Sequence, residues 1–445
     1  MARSGLPSLL LLPTPPEPAN YAALGVAYRP AIEMALTRTR RDDGSATLIV
    51  AVAVPLLSGP TLESKRFCWP DAQSLLAGLY TIIAVLCEQL HIGTELDGGP
   101  SAVDTRIVLL DHERNRYFPS LSPIIEPNNT VLVDLPSFAA AFHPWNNIYY
   151  VQSEAGIQFR NLYASFAHTL KVRDEQMVAV GGGPTVHLGM SSGAGSGAAS
   201  ADASGTITPS RIMHIPITLH KTVCLGGTFD YLHLGHKLLL TAGALLLDVP
   251  MPFAGPPCEY VIGITGDELL RKKMYAEYVQ PWEERARNVI QFLASIVELS
   301  RDGWEEKPMG AEIQEQDGDF QATFRNGSIL VHCLRIHDAF GPTVEREDIT
   351  CLVVSGETRS GGRAVNEKRA AQGWLPLETF EVDVLSAEDA VADLTAAEGT
   401  ASPGEAARVA ANFDAKISST AIRRQRAEAA AAGKAAAKSS VLPPK

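Results

Sequence analysis

The sequence predicts an α/β protein in which one α/β domain precedes another built on a doubly wound parallel sheet. Three observations carry this. Apolar runs of strand length alternate with helix-forming stretches along both halves of the chain. Residues 181–210, "GGGPTVHLGMSSGAGSGAASADASGTITPS", are almost all small or polar and divide the chain in two. Finally, "VCLGGTFDYLHLGHK" (223–237) sets an apolar strand directly before a helix-forming run, with two glycines, a threonine and two histidines at the junction.

In the first half, "ATLIVAVAV" (46–54), "TRIVLL" (105–110) and "TVLVDL" (130–135) read as buried strands. "DAQSLLAGLYTIIAVLCEQL" (71–90) reads as a helix; its membrane-like part, 74–87, is shorter than the roughly 20 apolar residues of a spanning helix and suits a core helix. The Leu run near the start is broken by prolines within a few residues, which argues against a signal peptide. Asp111 and His112 follow a strand end, but two isolated polar residues suit a solvated loop. No phosphate loop, metal cluster or nucleophile motif marks residues 1–180, whose role the sequence leaves open.

Residues 181–210 read as a flexible linker, because small polar residues bury too little apolar surface to offset their ordering entropy. The second domain, 211–426, shows clearer alternation. "KTVCLGG", "EYVIGIT" (259–265), "SILVHCLRI" (328–336), "ITCLVVSG" (349–356) and "ETFEVDVL" (378–385) read as strands. "GHKLLLTAGALLL" (235–247) and "PWEERARNVIQFLASIVEL" (281–299) read as helices, a Rossmann-like pattern. Residues 301–327 read as a polar surface loop and 386–413 as a mobile Ala/Glu-rich insertion. The Ala/Lys-rich tail, 427–445, reads as helix-prone and then disordered.

The bulk numbers agree with a soluble globular chain: 46% apolar and 20% charged residues. A net charge of -12 argues against a nucleic-acid binder but not against a nucleotide site, where only the local field matters. The six cysteines are scattered without metal-like spacing, so reduced thiols and the cytosol are expected, with neither membrane nor nucleic acid as partner.

At the junction, Gly226 and Gly227 permit a tight turn and close approach to a ligand. The following helix offers unpaired N–H groups and a partial positive charge to an anion. His233 and His236 lie three apart where the helix starts, with Gly235 leaving room between them, and Thr228 adds a hydroxyl. Either histidine alone would suit a surface or capping role; the whole T-x-D-x-x-H-x-G-H spacing points to a bound phosphate.

That stretch resembles the H-x-G-H signature of the nucleotidyltransferase superfamily. "KISSTAIRR" (416–424) resembles its second signature, a Ser-Ser-Thr turn opening a helix with an arginine beyond. "VVSGETRSGGRAVNEKR" (353–369) and "GDELLRKKMYAEYVQPWEER" (266–285) resemble the eukaryotic and archaeal phosphopantetheine adenylyltransferases, the fungal type included. Arg359 follows its threonine directly, whereas the animal enzymes carry the basic residue one place later. No G-x-x-x-x-G-K-[ST] is present, so only the adenylyl-transfer step of the fused animal enzymes is expected.

The resemblance implies transfer of the adenylyl group of ATP to 4'-phosphopantetheine, giving dephospho-CoA and pyrophosphate without a covalent intermediate. It places Thr228 and Lys273, or its neighbour Lys272, on the attacking phosphate and the α-phosphate. His236 would bond the α-phosphate and His233 the phosphates beside it. Ser418, Ser419 and Thr420 would hold the β- and γ-phosphates, with Arg423 and Arg359 adding charge. Mg²⁺ is expected to arrive with ATP, because no carboxylate cage is visible. Taken alone, the Ser-Ser-Thr turn would be an ordinary cap, the arginines a solvated face and the lysines surface residues. Three alternatives stand beside this reading: a cytidylyltransferase, a nicotinamide mononucleotide adenylyltransferase, or an inactive scaffold of a coenzyme A-synthesising complex. The first half is expected to dock other enzymes of coenzyme A synthesis.

Overall fold

The computed structural model describes residues 5–95, 99–114, 128–141, 145–167, 172–183, 217–251, 254–298, 313–385, 413 and 417–440. Most of the linker and of the Ala/Glu-rich insertion therefore lies outside the described residues.

The first half is built on six parallel strands. They are β1 (Ser8–Leu12), β2 (Ala46–Val54), β3 (Val103–Asp111), β4 (Val133–Asp134), β5 (Ile148–Val151) and β6 (Met177–Val180), in the order β4-β3-β2-β1-β5-β6. Helices α1 (Tyr21–Thr39), α2 (Trp69–Gln89), α3 (Leu135–Ala141) and α4 (Glu154–Phe166) connect them. The Leu run near the start is β1, a central strand with all five residues buried. A parallel strand covered on both faces reads as an unbroken apolar run, and the prolines end it. The expected strand 130–135 shrinks to two residues, because Asp134 turns the chain into α3: its Oδ1 accepts from Ser137 N–H at 2.9 Å. Asp111 is buried, not solvated: its Oδ1 accepts from Leu57 N–H at 3.0 Å, and buried His112 stacks on Phe159.

The second half carries β7 (Thr222–Gly227), β8 (Cys258–Thr265), β9 (Gln314–Gln316), β10 (Asp319–Phe324), β11 (Ile329–Ile336), β12 (Cys351–Ser355) and β13 (Glu378–Val382). Their order is β13-β12-β7-β8-β11-β10-β9, parallel except for the last two. The helices are α5 (Leu234–Ala244), α6 (Asp267–Leu270), α7 (Trp282–Val297), α8 (Arg359–Ala371) and α9 (Ser419–Ser440). Strand order reverses between β7 and β12, so the crevice at their C-terminal ends is where this architecture holds ligands. Residues 314–324, expected as loop, form the β9–β10 hairpin. Its turn is Asp317-Gly318, both left-handed, a hairpin dipeptide legible in the sequence. The helix-prone part of the tail continues α9 as far as Ser440.

The two halves are docked. Helix α2 is 21 residues long and apolar enough to cross a membrane, yet 78% of its most apolar window is buried inside the protein. It packs between α1 and α5. Trp69 Nε1 donates to Ala242 O at 2.8 Å, and Gln73 exchanges hydrogen bonds with Asp383 at 2.8 and 3.0 Å. Arg325, at the end of β10, donates to Thr130 O and Val131 O. Gly243 lets α5 lie against β8, since a Cβ there would sit 2.3 Å from the Tyr260 hydroxyl.

Candidate active site

Gly226 and Gly227 end β7 at the reversal of strand order. A Cβ on Gly227 would press to 2.9 Å against the Phe229 ring, so a side chain there would displace the loop that follows. Within that loop Phe229 and Tyr231 are left-handed, at φ 52° and 45°. Non-glycine residues hold such angles only where their surroundings over-determine them.

The surroundings do so here. Tyr231 N–H donates to Gln280 Oε1 at 2.7 Å, and its hydroxyl donates to Tyr278 O at 2.5 Å. Asp230 is fully buried and accepts from Gln280 N–H at 2.9 Å and from Arg423 Nη1 at 2.5 Å. Ser419 Oγ donates to Asp230 O at 2.8 Å. Fully buried Arg285 donates to Thr228 O, Thr265 O, Gln280 O and Asp267 Oδ1, tying the ends of β7 and β8 together. Sequence reading gave no role to Asp230, Gln280 or Arg285. Their signal was present, in the T-x-D and Q-P-x-x-E-R spacings.

The loop delivers His233 as the N-cap of α5 and His236 in its first turn. Their rings stack with centroids 3.8 Å apart and 20° between planes, and His236 also meets Phe229 at 5.2 Å. Each Nδ1 is buried and makes no hydrogen bond. Burial, and after it the charge of Lys273, pushes His236 down to about 3. Burial, then His236 and Lys237, holds His233 well below the ordinary histidine range. Both imidazoles are thus neutral at pH 7. Two neutral rings at a helix N-terminus, each with a single N–H to donate, suit an anion held there.

Lys272 and Lys273 are exposed on the loop after α6, and of the two only Lys273 contributes to the shift of His236. The N-terminus of α9 reaches the same place: Ile417 O lies 3.9 Å from where a Cβ of Gly235 would be. Ser418 Oγ accepts from Ala421 N–H at 3.4 Å, as a cap does, and Ser419 anchors on the Asp230 carbonyl. The fold thus gathers Gly226, Gly227, Thr228, His233, His236 and Ser418–Thr420, with Lys273 acting on His236.

Two expected phosphate contacts stand otherwise. Arg423 is 2% exposed and spent on Asp230, Met274 O and Thr420 Oγ1, so its charge is committed inside the protein. Arg359 is exposed and pairs through Nε and Nη2 with Glu381 on β13, on the far side of β12 from β7. No group of acidic, histidine or cysteine side chains among the described residues is arranged to hold a metal ion.

Comparison with known proteins agrees with this geometry. Residues 1–186 match a family described only as a domain of unknown function. An uncharacterized protein of Schizosaccharomyces pombe is 32% identical over 206 residues, 46% of this chain and 48% of its own length. The phosphopantetheine adenylyltransferase of Saccharomyces cerevisiae is 33% identical over 165 residues, 37% of this chain and 42% of its own. The chain thus spans less than half the length of these two curated relatives. The phosphopantetheine adenylyltransferase of Pyrococcus furiosus is 30% identical over 166 residues, 37% of this chain and 79% of its own length. Residues 224–425 match the family described as cytidylyltransferase-like, and through them the chain belongs to that family of nucleotidyltransferases.

Proposed function

We propose that the protein transfers the adenylyl group of ATP to 4'-phosphopantetheine, releasing pyrophosphate and forming dephospho-CoA. The observation that carries this reading is the stacked, neutral His233–His236 pair where the N-termini of α5 and α9 converge. The phosphopantetheine adenylyltransferase relatives supply the choice of nucleotide and acceptor.

The acceptor is a phosphate monoester with a second pKa of about 6, so it is already mostly dianionic at neutral pH and needs no general base. Its oxygen attacks the α-phosphorus in line. The new P–O bond forms as the bond to the β-phosphate oxygen breaks, and the electron pair leaves with pyrophosphate. Negative charge spreads over the α-phosphate oxygens as this happens. His236, kept neutral by its surroundings, donates a hydrogen bond there; Lys273 adds a charge that needs no proton transfer. The free N–H groups at the start of α5 and α9 receive the phosphates, whose Mg²⁺ enters with ATP as part of the substrate.

The test is pyrophosphate release by the purified full-length protein with MgATP, with and without 4'-phosphopantetheine, and with CTP in place of ATP. Release requiring both ATP and phosphopantetheine supports the reading. Release with CTP, or none from folded protein that binds ATP, overturns it.

A further inference from the structure

We propose that the N-terminal domain positions the reacting histidines, with Asp104 holding Lys237, the residue next to His236, from across the domain interface. Lys237 is fully buried, and every hydrogen bond of its ammonium goes to the other domain. Nζ donates to Asp104 Oδ1 at 2.5 Å, to Thr94 O at 2.9 Å and to Thr105 O at 3.4 Å. That fills its three donors.

Successive residues of a helix point about 100° apart, so Lys237 can face β3 while His236 faces the phosphate site. Lys237 N–H also donates to His233 O at 3.0 Å, closing the first turn of α5. Whatever fixes Lys237 therefore fixes the turn that carries both imidazoles. Asp104 is itself held in place: Arg106 Nε and Nη2 bind its second oxygen at 2.8 and 2.6 Å. Arg106 Nη1 continues to Gln291 O on α7 at 3.2 Å. At the other end of α5, Ala242 O receives the Trp69 indole. The catalytic helix is gripped at both ends by a domain that contributes no residue to the phosphate site described above.

Burial explains why the link is specific. An ammonium removed from water keeps its charge only where acceptors replace the water, and here those acceptors all belong to the N-terminal domain. Lys237 and Asp104 are positioning residues: they touch neither ATP nor acceptor, and they act through His236 and His233. The kinetic part of this inference rests on the adenylyl-transfer reading; the structural part does not.

The experiment uses full-length Lys237→Met and Asp104→Asn. Lys237→Met leaves the Asp104–Arg106 pair in place, and Asp104→Asn preserves the shape at Asp104. Three quantities are read: kcat and KM for ATP, amide hydrogen exchange along α5, and the imidazole resonances of His233 and His236. The expected result is a kcat lower by about tenfold to a hundredfold, the scale for slight misplacement of a reacting group. The KM for ATP should stay within about twofold, exchange should quicken in 234–240 but not in β7, and the imidazole resonances should move. Wild-type kcat and exchange in both variants would overturn the proposal. So would exchange that rises evenly through the chain with a fall in Tm, which makes the pair a stability element only. If the wild-type protein fails to turn over ATP with phosphopantetheine, the adenylyl-transfer reading falls, while exchange and resonances still decide the positioning role.

Discussion

Arg423 Nη1 lies 2.5 Å from Asp230 Oδ2, and both side chains are buried. The pair joins the loop that delivers the H-x-G-H element to the start of α9, 193 residues away in sequence. Burial pushes the Asp230 carboxyl up, against the Gln280 N–H and Arg423, which favour its charged form. A charge pair in such a place is a fastening between two halves of a site.

Removing one partner of a buried pair strands the other and costs about 3–5 kcal/mol. Arg423→Met should therefore lower unfolding stability by about that amount. Arg423→Met combined with Asp230→Asn should recover most of it, since the stranded carboxylate is then gone. Denaturant titration of the three proteins checks this. Wild-type stability in Arg423→Met together with weakened ATP binding would make Arg423 a phosphate ligand and not a fastening.

His236→Ala tests the centre of the site. Its Nδ1 has no hydrogen-bond partner to strand, so the fold should survive with little loss of stability. Its absence should lower kcat by about 10²-fold or more, the scale for one lost stabiliser of transition-state charge. Steady-state turnover beside a thermal melt separates the two effects. Unchanged turnover would remove His236 from the chemistry.

How much of this was legible before the fold was known follows from the range of each interaction. Strands β2, β3, β7, β8 and β12 were readable because parallel strands covered on both faces give largely apolar runs, and β11, buried only at alternate residues, through its Ile-Leu-Val start. The H-x-G-H element was readable because its residues are neighbours in sequence. The β9–β10 hairpin was readable too, through Asp317-Gly318, but its polar outer face reads as loop. Arg423 was not, because a buried arginine beside two exposed ones in "RRQR" has the composition of a solvated face. Lys237 was hidden for a stronger reason: its acceptors lie more than 130 residues earlier, in a domain without any motif.

The two histidines also make the protein sensitive to acid. Burial, first of all causes, holds both below the ordinary value of about 6.5. Above that pH they are neutral in folded and unfolded chains alike and contribute nothing to the pH dependence. Below it the unfolded chain takes up protons that the folded chain refuses, so stability falls as pH drops from about 6.5 towards about 3 for His236. His236→Ala should therefore lose stability less steeply than wild type between about pH 6.5 and 4, by up to one bound proton. Equal slopes, measured by denaturant titration across that range, would mean that the ring is protonated in the folded protein.

The docked interface bears on the segment that joins the domains. Gly183 N–H donates to Ala27 O at 3.3 Å and Ile217 packs on the core, so both ends of the tether are fixed. Deleting residues 188–210 leaves 10 of the 33 residues between Gly183 and Ile217. Closing the shorter loop costs less entropy by (3/2)RT times the logarithm of the length ratio, about 1 kcal/mol. If the segment serves only as a tether, the deletion should raise unfolding stability by about that amount and leave kcat within about twofold. The docked faces are untouched, so Lys237 keeps its acceptors and the first turn of α5 keeps its place. A large fall in kcat, or a loss of stability, would show that the deleted residues themselves touch the site or the interface.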